Sequence, residues 1–140
     1  MRGKIGDFER LFHMVKWCRK LKVVQAKVQS YEQFIAKESY YLVDVSAFYI
    51  GQIGELARTL SDEMKTTLED IQWRQINDMR NQLIHNYGKR SKKIIWSVII
   101  EDIPVLEKRC LDVLREYDSN VDEDIRQDLA EETGIVWEDK

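Results

Sequence analysis

The chain has 140 residues and a net charge of −3, and it is long enough to bury a core as one domain without disulfides or metals. Six glycines and one proline are too few for a turn-rich all-β protein or a low-complexity chain. Cys18 and Cys110 lie too far apart to indicate a disulfide framework or a zinc site, and they favour a reducing compartment, the cytoplasm. No apolar run reaches the roughly 18 residues of a membrane span, and Met1 to Asp7 do not resemble a signal peptide. We therefore expect neither export nor contact with a membrane.

Charge is distributed unevenly along the chain. Residues 118–140 contain nine acidic residues against Arg126 and Lys140 and carry −7, so residues 1–117 carry +4. A mildly basic body with an acidic tail suits a protein that meets polyanions or a basic partner, although a solvated tail is the plain alternative. We divide the chain into a helical domain, residues 1–117, and an acidic C-terminal tail, residues 118–140, with a possible short helix from Ile125 to Ala130.

Apolar residues at helical spacing predict the first two helices. The first extends from about Asp7, a possible cap, to about Val28. The second ends at Leu60 and begins at either Tyr31 or Ser39. Its apolar stripe, with steps of three and four residues, is the most regular in the chain: Leu42, Val45, Tyr49, Ile53, Leu56 and Leu60.

Two glycines lie inside the second predicted helix, although each costs a helix about 1 kcal/mol relative to alanine. Gly51 and Gly54 are three residues apart and therefore share one face. They are either tolerated there or allow another helix to cross closely, and the sequence leaves both interpretations open.

A third helix is predicted from about Ile71 to Asn86. The segment Lys65–Glu69 before it is interpreted as a loop, and Asp70 is a possible cap. Gly88 is a natural end for this helix, because glycine readily adopts the left-handed conformation that follows a helix.

The fourth predicted helix extends from Ile94 to Tyr117 after a basic connection, Lys89–Lys93. Pro104 interrupts or restarts it, and Asp102 is a fair cap for the restarted part. These elements predict an all-α bundle of four to five helices with short connections.

The third helix carries the residues best suited to chemistry. On a helical wheel Arg80 falls inside the apolar face, where an arginine must snorkel, pair with a carboxylate such as Glu55, or bind an anion. Asn81 and His85 lie one turn apart on the opposite side, where the amide can fix the tautomer of the imidazole. The plain alternative is a snorkelling arginine and a solvated histidine. Because Arg80 and His85 are about 140° apart on an ideal helix, a shared site requires the helix to end near His85 or a second subunit to contribute.

Several segments occur in an order typical of one family. The central motif is Arg80, four residues and His85, with Asn81 after the arginine and Tyr87 two residues after the histidine. The other matching segments are Ile50–Ala57 (IGQIGELA), Trp73, Trp96 and Asp102–Leu106 (DIPVL). From Phe48 to Arg109 the chain therefore resembles the HepT-like branch of the HEPN superfamily. It departs from the family pattern at Gln72, where Pro usually precedes the tryptophan, and at Lys89–Lys93, where acidic residues are frequent.

The resemblance implies an α-helical HEPN-type bundle that forms a homodimer. It implies a metal-independent endoribonuclease and toxin whose site lies at the dimer interface, with Arg80 and His85 of both subunits as catalytic residues. Asn81 then has a supporting role, and Glu55 is assigned one as the carboxylate available to Arg80. The resemblance further implies a MntA-type nucleotidyltransferase antitoxin that adds AMP to Tyr87.

The chemistry of RNA cleavage agrees with this assignment. RNA supplies its own nucleophile, the 2′-hydroxyl group, so the protein needs an acid, a base and positive charge at the phosphorus. His85 suits the proton transfers and Arg80 suits the phosphate, and the substrate would be a tRNA or an mRNA. We expect no cofactor and no metal, since His13 and His85 are the only histidines and no ligand cluster is visible.

The basic run after the motif has two interpretations. Lys89, Arg90, Lys92 and Lys93 either bind the phosphates that flank the cleaved bond or form a solvated loop.

Two further functions compete with RNA cleavage. The chain could be a non-catalytic nucleotide- or substrate-binding subunit of a nucleotidyltransferase complex, as some relatives of the family are. It could also be a purely structural dimerisation bundle, which would explain Gly51 and Gly54 but not Arg80 on an apolar face.

Overall fold

The computed structural model describes the backbone of residues 2–85 and 89–134 and the side chains of residues 6–81 and 92–134. These residues form eight α-helices and no β-strand. Five of the helices, namely α1, α3, α5, α7 and α8, have 13 residues or more. The predicted all-α bundle is confirmed. The helices are α1 (Arg2–Lys27), α2 (Tyr31–Phe34), α3 (Tyr40–Arg58), α4 (Asp62–Thr67), α5 (Trp73–His85), α6 (Lys89–Ser97), α7 (Ile103–Tyr117) and α8 (Val121–Thr133).

Helix α1 is central to the bundle and packs against α3, α7 and α8. Its fully buried side chains include Leu11, Met14 and Leu21, which face the core from several turns of the helix. Cys18 of α1 and Cys110 of α7 are also buried, and both are free thiols. Burial raises the pKa of the Cys110 thiol to about 12, so this group stays protonated at neutral pH and behaves as a small apolar side chain. Among the described residues, no helix is both long and apolar enough to cross a bilayer.

Helix α1 begins at Arg2, earlier than the predicted Asp7, and Asp7 has a different role. Its buried carboxylate accepts a hydrogen bond from the backbone N–H of Ser61 at 2.9 Å. Ser61 in turn caps α4, since its hydroxyl accepts from the N–H of Met64 at 3.1 Å. The prediction of a loop at Lys65–Glu69 is therefore wrong, because a capped short helix occupies most of that segment.

The segment before α3 is divided into two elements. Ser30 caps the short helix α2, a 3₁₀ turn follows at Lys37–Ser39, and α3 begins at Tyr40. The predicted apolar stripe of this helix is only partly right, because Val45, Tyr49 and Leu56 are half-buried. Ser46, Ala47 and Gly54 are buried instead. A search for regularly spaced large apolar residues does not detect such small side chains. The buried residues of α3 are Leu42, Val43, Ser46, Ala47, Ile50, Ile53 and Gly54.

The predicted basic connection at Lys89–Lys93 is wrong, since these residues lie in α6. The chain then continues into α7 through a π-helical turn, Val98–Asp102, in which the N–H of Ile103 bonds to the carbonyl of Val98. Pro104 lies in the first turn of α7, where its missing N–H costs little.

Asp102 does not cap α7, contrary to the prediction. Its backbone is helical, and its side chain makes no capping hydrogen bond. Its buried Oδ2 atom has no hydrogen-bond partner within the described part of the chain. Burial, with a smaller effect of the neighbouring Glu101 charge, raises the pKa of this carboxyl.

The acidic segment after Tyr117 forms α8, which packs on α1. Its apolar face buries Val121, Ile125 and Leu129. Around this face, Lys16 of α1 contacts Asp128 at 2.5 Å and Glu132 at 2.8 Å, and Lys20 contacts Glu132 as well. Hydrogen bonds from these two lysines lower the pKa of Glu132 to about 2, although its partial desolvation acts in the opposite direction.

We expect the Glu132→Gln variant to lose about 1 kcal/mol of unfolding free energy at pH 7, the upper range for a partly exposed pair. Because the folded-state pKa is lowered, Glu132 stabilises the fold above its unfolded value of 4.5, and this effect disappears as the pH falls towards 2. Urea unfolding at pH 7 and at pH 2.5 measures both values. Glu131→Gln, on the same helix but without a described ion pair, is the matched control; equal losses in both variants would contradict the assignment.

Candidate active site

Helices α3 and α5 approach closely at one glycine. A Cβ atom placed on Gly54 would lie 3.3 Å from Cβ and 3.2 Å from Cδ of Arg80, closer than ordinary van der Waals contact. The aliphatic part of Arg80 thus lies directly on the backbone of α3. For Gly54, the close helix crossing is the interpretation that the structure supports.

The guanidinium group of Arg80 pairs with Glu55, the residue after this glycine. Its Nε atom donates a hydrogen bond to Oε1 of Glu55, and Nη2 contacts the same oxygen. The Arg80 side chain is 20% exposed, so the pair lies at the edge of the core. The sequence offered a carboxylate partner as one of three options for Arg80, and this option is realised.

Glu55 is shared between two arginines, since Nη2 of Arg58 lies 3.3 Å from its second oxygen, Oε2. Desolvation alone would raise the pKa of Glu55, but the hydrogen bond and charge of Arg80, with a smaller effect of Arg58, lower it overall. The carboxylate is therefore ionised at neutral pH and holds Arg80 against α3.

Arg80 retains hydrogen-bonding capacity beyond this pair. A guanidinium group has five N–H donors, and Glu55 engages Nε and one side of Nη2. Nη1 lies 3.5 Å from Oδ1 of Asn81, at the limit of a hydrogen bond. Asn81 itself is exposed. An anion that approaches the guanidinium group of Arg80 from the side of Asn81 can therefore accept hydrogen bonds from the N–H groups that Glu55 leaves unused. The amide of Asn81 lies next to them.

The remaining motif residues are placed less completely. Helix α5 includes His85, so Arg80, Asn81 and His85 stand on one helix, but the His85 side chain lies outside the described residues. Tyr87 lies wholly outside them. The proton-transfer and modification roles predicted for these two residues stay predictions.

The basic run does not join the Arg80–Glu55 pair in the described part of the chain. Lys89 and Arg90 lie in α6, and their side chains are outside the described residues. Lys93 is exposed, whereas Lys92 is half-buried and lines a separate pocket of about 280 Å³ with Tyr40.

A pocket of about 390 Å³ opens beside the Arg80–Glu55 pair, between α3, α4 and α5. Gly54 and Arg58 border both the pocket and the Arg80–Glu55 pair. Sequence analysis did not find this pocket, because its cations come from three separate helices and form no sequence pattern. The other lining residues are Ala57, Lys65, Trp73, Arg74, Ile76 and Asn77.

The described residues contain no cluster of three or more histidine, cysteine or carboxylate side chains arranged to hold a metal ion. The described part of the site presents a guanidinium group, a carboxylate and an amide. Such a set binds and orients an anionic group such as a phosphate.

The described residues form an all-α bundle in which one helix carries Arg80, Asn81 and His85 and packs on a helix that carries Glu55. This architecture agrees with the HEPN-type helical bundle, and the family match assigns the chain to that class. Residues 14–113 match the family described as Ribonuclease HepT-like, and the chain belongs to this family.

Curated relatives agree with this membership. A protein named "Putative RNase" from Caldanaerobacter subterraneus subsp. tengcongensis is 31% identical over 105 residues, which cover 75% of this chain and 91% of that protein. A "Probable ribonuclease HepT" of Thermococcus cleftensis is 30% identical over 55% of this chain and 68% of its own length. A "Gamma-glutamylcyclotransferase and putative RNase" of Methanocaldococcus jannaschii is 32% identical, over 59% of this chain and 37% of its own length. No solved structure matches the chain significantly.

We expect Gly54→Val to lower the unfolding free energy by about 2 kcal/mol, because the added atoms must separate α3 from Arg80. Gly54→Ala should be near neutral, since its short contact is offset by about 1 kcal/mol of helix propensity. Urea unfolding measures both. In an Arg80→Ala background, the cost of Gly54→Val should fall, because the contact with Cδ is removed although the contact with Cβ remains; an undiminished cost would show that the loss arises elsewhere.

Proposed function

We propose that this protein is a metal-independent endoribonuclease and the toxin of a toxin–antitoxin pair. It acts as a homodimer, with a site at the interface formed by Arg80 and His85 of both subunits, on a tRNA or mRNA substrate. The observation that carries the proposal is Arg80 fixed on α3 by Glu55, with donors left over, on the same helix as His85. Membership in the Ribonuclease HepT-like family supports the reaction class.

Cleavage requires two proton transfers and stabilisation of one anionic transition state. In the proposed reaction one His85 removes the proton from the 2′-hydroxyl group, whose oxygen forms a new bond to phosphorus. The bond from phosphorus to the 5′-oxygen breaks, and His85 of the partner subunit donates a proton to that oxygen. The free donors of Arg80 hold the phosphorane charge throughout.

Helix geometry supports the use of two subunits. Arg80 and His85 are about 140° apart around an ideal helix, so one α5 does not aim both side chains at the same phosphate. A two-fold axis near this helix would place the arginine of one subunit beside the histidine of the other.

Glu55 has a positioning role in this proposal. It fixes the direction of the Arg80 side chain and neutralises part of its charge until a phosphate arrives. Arg58 also contacts Glu55, so the carboxylate has a second cationic partner while the remaining donors of Arg80 bind the phosphate.

A MntA-type nucleotidyltransferase is the proposed antitoxin, and Tyr87 is the proposed acceptor of AMP. The transferred group would add a negative phosphate and a bulky nucleoside two residues after His85. RNA would then be excluded by charge repulsion and by occupied space.

One observation favours a second candidate function. The pocket beside Arg80, lined by Trp73 and three cationic side chains, suits a nucleotide whether or not the protein cleaves RNA. A non-catalytic nucleotide-binding subunit of a nucleotidyltransferase complex is therefore the alternative, and the cleavage assay below separates the two.

We expect His85→Ala to lower RNA cleavage at least 100-fold in the presence of EDTA, the usual effect of removing a general acid or base. The readout is fragmentation of total RNA by the purified protein, with the mass of each variant determined by light scattering. His13→Ala is the matched control, because His13 is an exposed histidine on α1. Cleavage by His85→Ala at the wild-type rate would contradict the catalytic assignment, and loss of wild-type activity in EDTA would contradict metal independence.

We expect Tyr87→Phe to resist modification while it keeps most of its cleavage activity, because the substitution removes only the acceptor oxygen. Intact mass after incubation with a MntA-type enzyme and ATP detects the added AMP. Tyr40→Phe is the control, since Tyr40 is the most exposed of the described tyrosines at 68%. An AMP adduct that persists in Tyr87→Phe would place the modification elsewhere.

A further inference from the structure

The pocket between α3, α4 and α5 has an unusual distribution of charge. Each of the three helices contributes one cation, namely Arg58, Lys65 and Arg74, and none of the described residues that line the pocket is acidic. Arg74 is exposed and forms no ion pair with any side chain that the structure describes. Within the same described residues, Lys65 forms no ion pair either, and its Nζ atom lies 3.4 Å from the carbonyl of Arg58. Two of the three cations therefore lack a carboxylate partner there and are available to an anion.

Part of the lining of the same pocket is apolar. Ala57 and Ile76 line it together with Trp73, whose indole Nε1 donates a hydrogen bond to the carbonyl of Leu68 at 3.0 Å. This bond fixes the ring, so the tryptophan loses little conformational freedom when a ligand packs on it. Indole rings are preferred stacking platforms for nucleobases.

The pocket is continuous with the proposed cleavage site. Gly54 lines the pocket and touches Arg80, and Arg58 lines the pocket and shares Glu55 with Arg80. Asn77 lies on the pocket wall one turn before Arg80 on α5, where its exposed amide can pair with a base edge. A ligand in this pocket is therefore a neighbour of the group bound by Arg80.

We infer that this pocket binds one nucleotide of the RNA strand, next to the phosphate held by Arg80, with its base on Trp73 and its phosphates against Arg58, Lys65 and Arg74. The inference rests on the proposed function. A pocket of about 390 Å³ lies within the usual range for small-ligand sites. A free nucleotide shares this chemistry. However, the three cations lie on three helices, and the pocket adjoins Arg80. This spread of positive charge suits the successive phosphates of an RNA backbone better than the one terminal phosphate of a free nucleotide.

The test is binding of a short 2′-O-methyl RNA oligonucleotide to the full-length protein, followed by fluorescence anisotropy. The methyl group removes the nucleophile, so affinity is measured without cleavage. We expect Trp73→Ala to weaken binding about tenfold and Trp73→Phe to restore most of the affinity, because phenylalanine keeps a stacking face. We expect Arg74→Ala and Lys65→Ala each to reduce the slope of log affinity against log salt by about 0.7, the value for one phosphate contact on a single strand.

Lys27→Ala is the matched control, since Lys27 is an exposed lysine at the end of α1 and does not line the pocket. Affinities and salt slopes of Arg74→Ala and Lys65→Ala equal to those of Lys27→Ala would overturn the inference, even if Trp73→Ala fails to fold. The absence of oligonucleotide binding by the wild-type protein would also overturn the inference.

Competition by 5′-AMP at concentrations equal to the oligonucleotide would overturn the assignment to an RNA strand in favour of a free nucleotide. Failure of the proposed ribonuclease function is distinguishable, because it is judged by cleavage with His85→Ala and not by affinity.

Discussion

The site depends on the absence of a side chain at residue 54. Because Gly54 carries no Cβ atom, the stem of Arg80 lies on the backbone of α3, and its guanidinium group reaches the carboxylate of the next residue, Glu55. Gly54 also lines the pocket to which Arg58 and Trp73 contribute. Because packing at this contact is dense, a side chain larger than alanine at position 54 would displace the stem of Arg80.

The ion pairs of the described residues determine which cations stay available to an anion. The acidic residues of α8 engage Lys16 and Lys20 of α1, among other cations. Glu55 is shared by two arginines, while Lys65 and Arg74 have no carboxylate partner in the described part of the chain. The net charge of −3 therefore gives a misleading impression of the surface beside Arg80. A polyanion that binds beside Arg80 interacts mainly with the charges near that surface and not with the net charge of the protein. The reason is that charges more than about 8 Å away are largely screened at physiological salt.

Sequence reasoning found the long helices because their large apolar residues repeat with the helical period. It missed α4, whose existence depends on the Ser61 cap and the distant Asp7, and it interpreted a lysine-rich run as a connection although it begins α6. Within α3 it misplaced part of the buried face, because Ser46 and Gly54 contribute little to hydrophobic periodicity.

The candidate site shows the same contrast between local and long-range information. Glu55 could be named as one possible partner of Arg80, because an arginine on an apolar face must snorkel, pair with a carboxylate or bind an anion. The pocket beside it was not identified, because Arg58, Lys65 and Arg74 come together only when three helices pack. His85 and Tyr87 rest on the motif and the family alone.

The π-helical turn at Val98–Asp102 has a consequence for the ancestry of this domain. Such a turn holds one residue more than an α-helix of the same rise, so it is the form in which a continuous helix absorbs a single-residue insertion. Loss of that residue would rotate α6, with Lys92, by about 100° relative to α7. A length difference of one residue between Trp96 and Pro104 in an alignment of related chains would thus mark a change of helix register and not a gap in a loop.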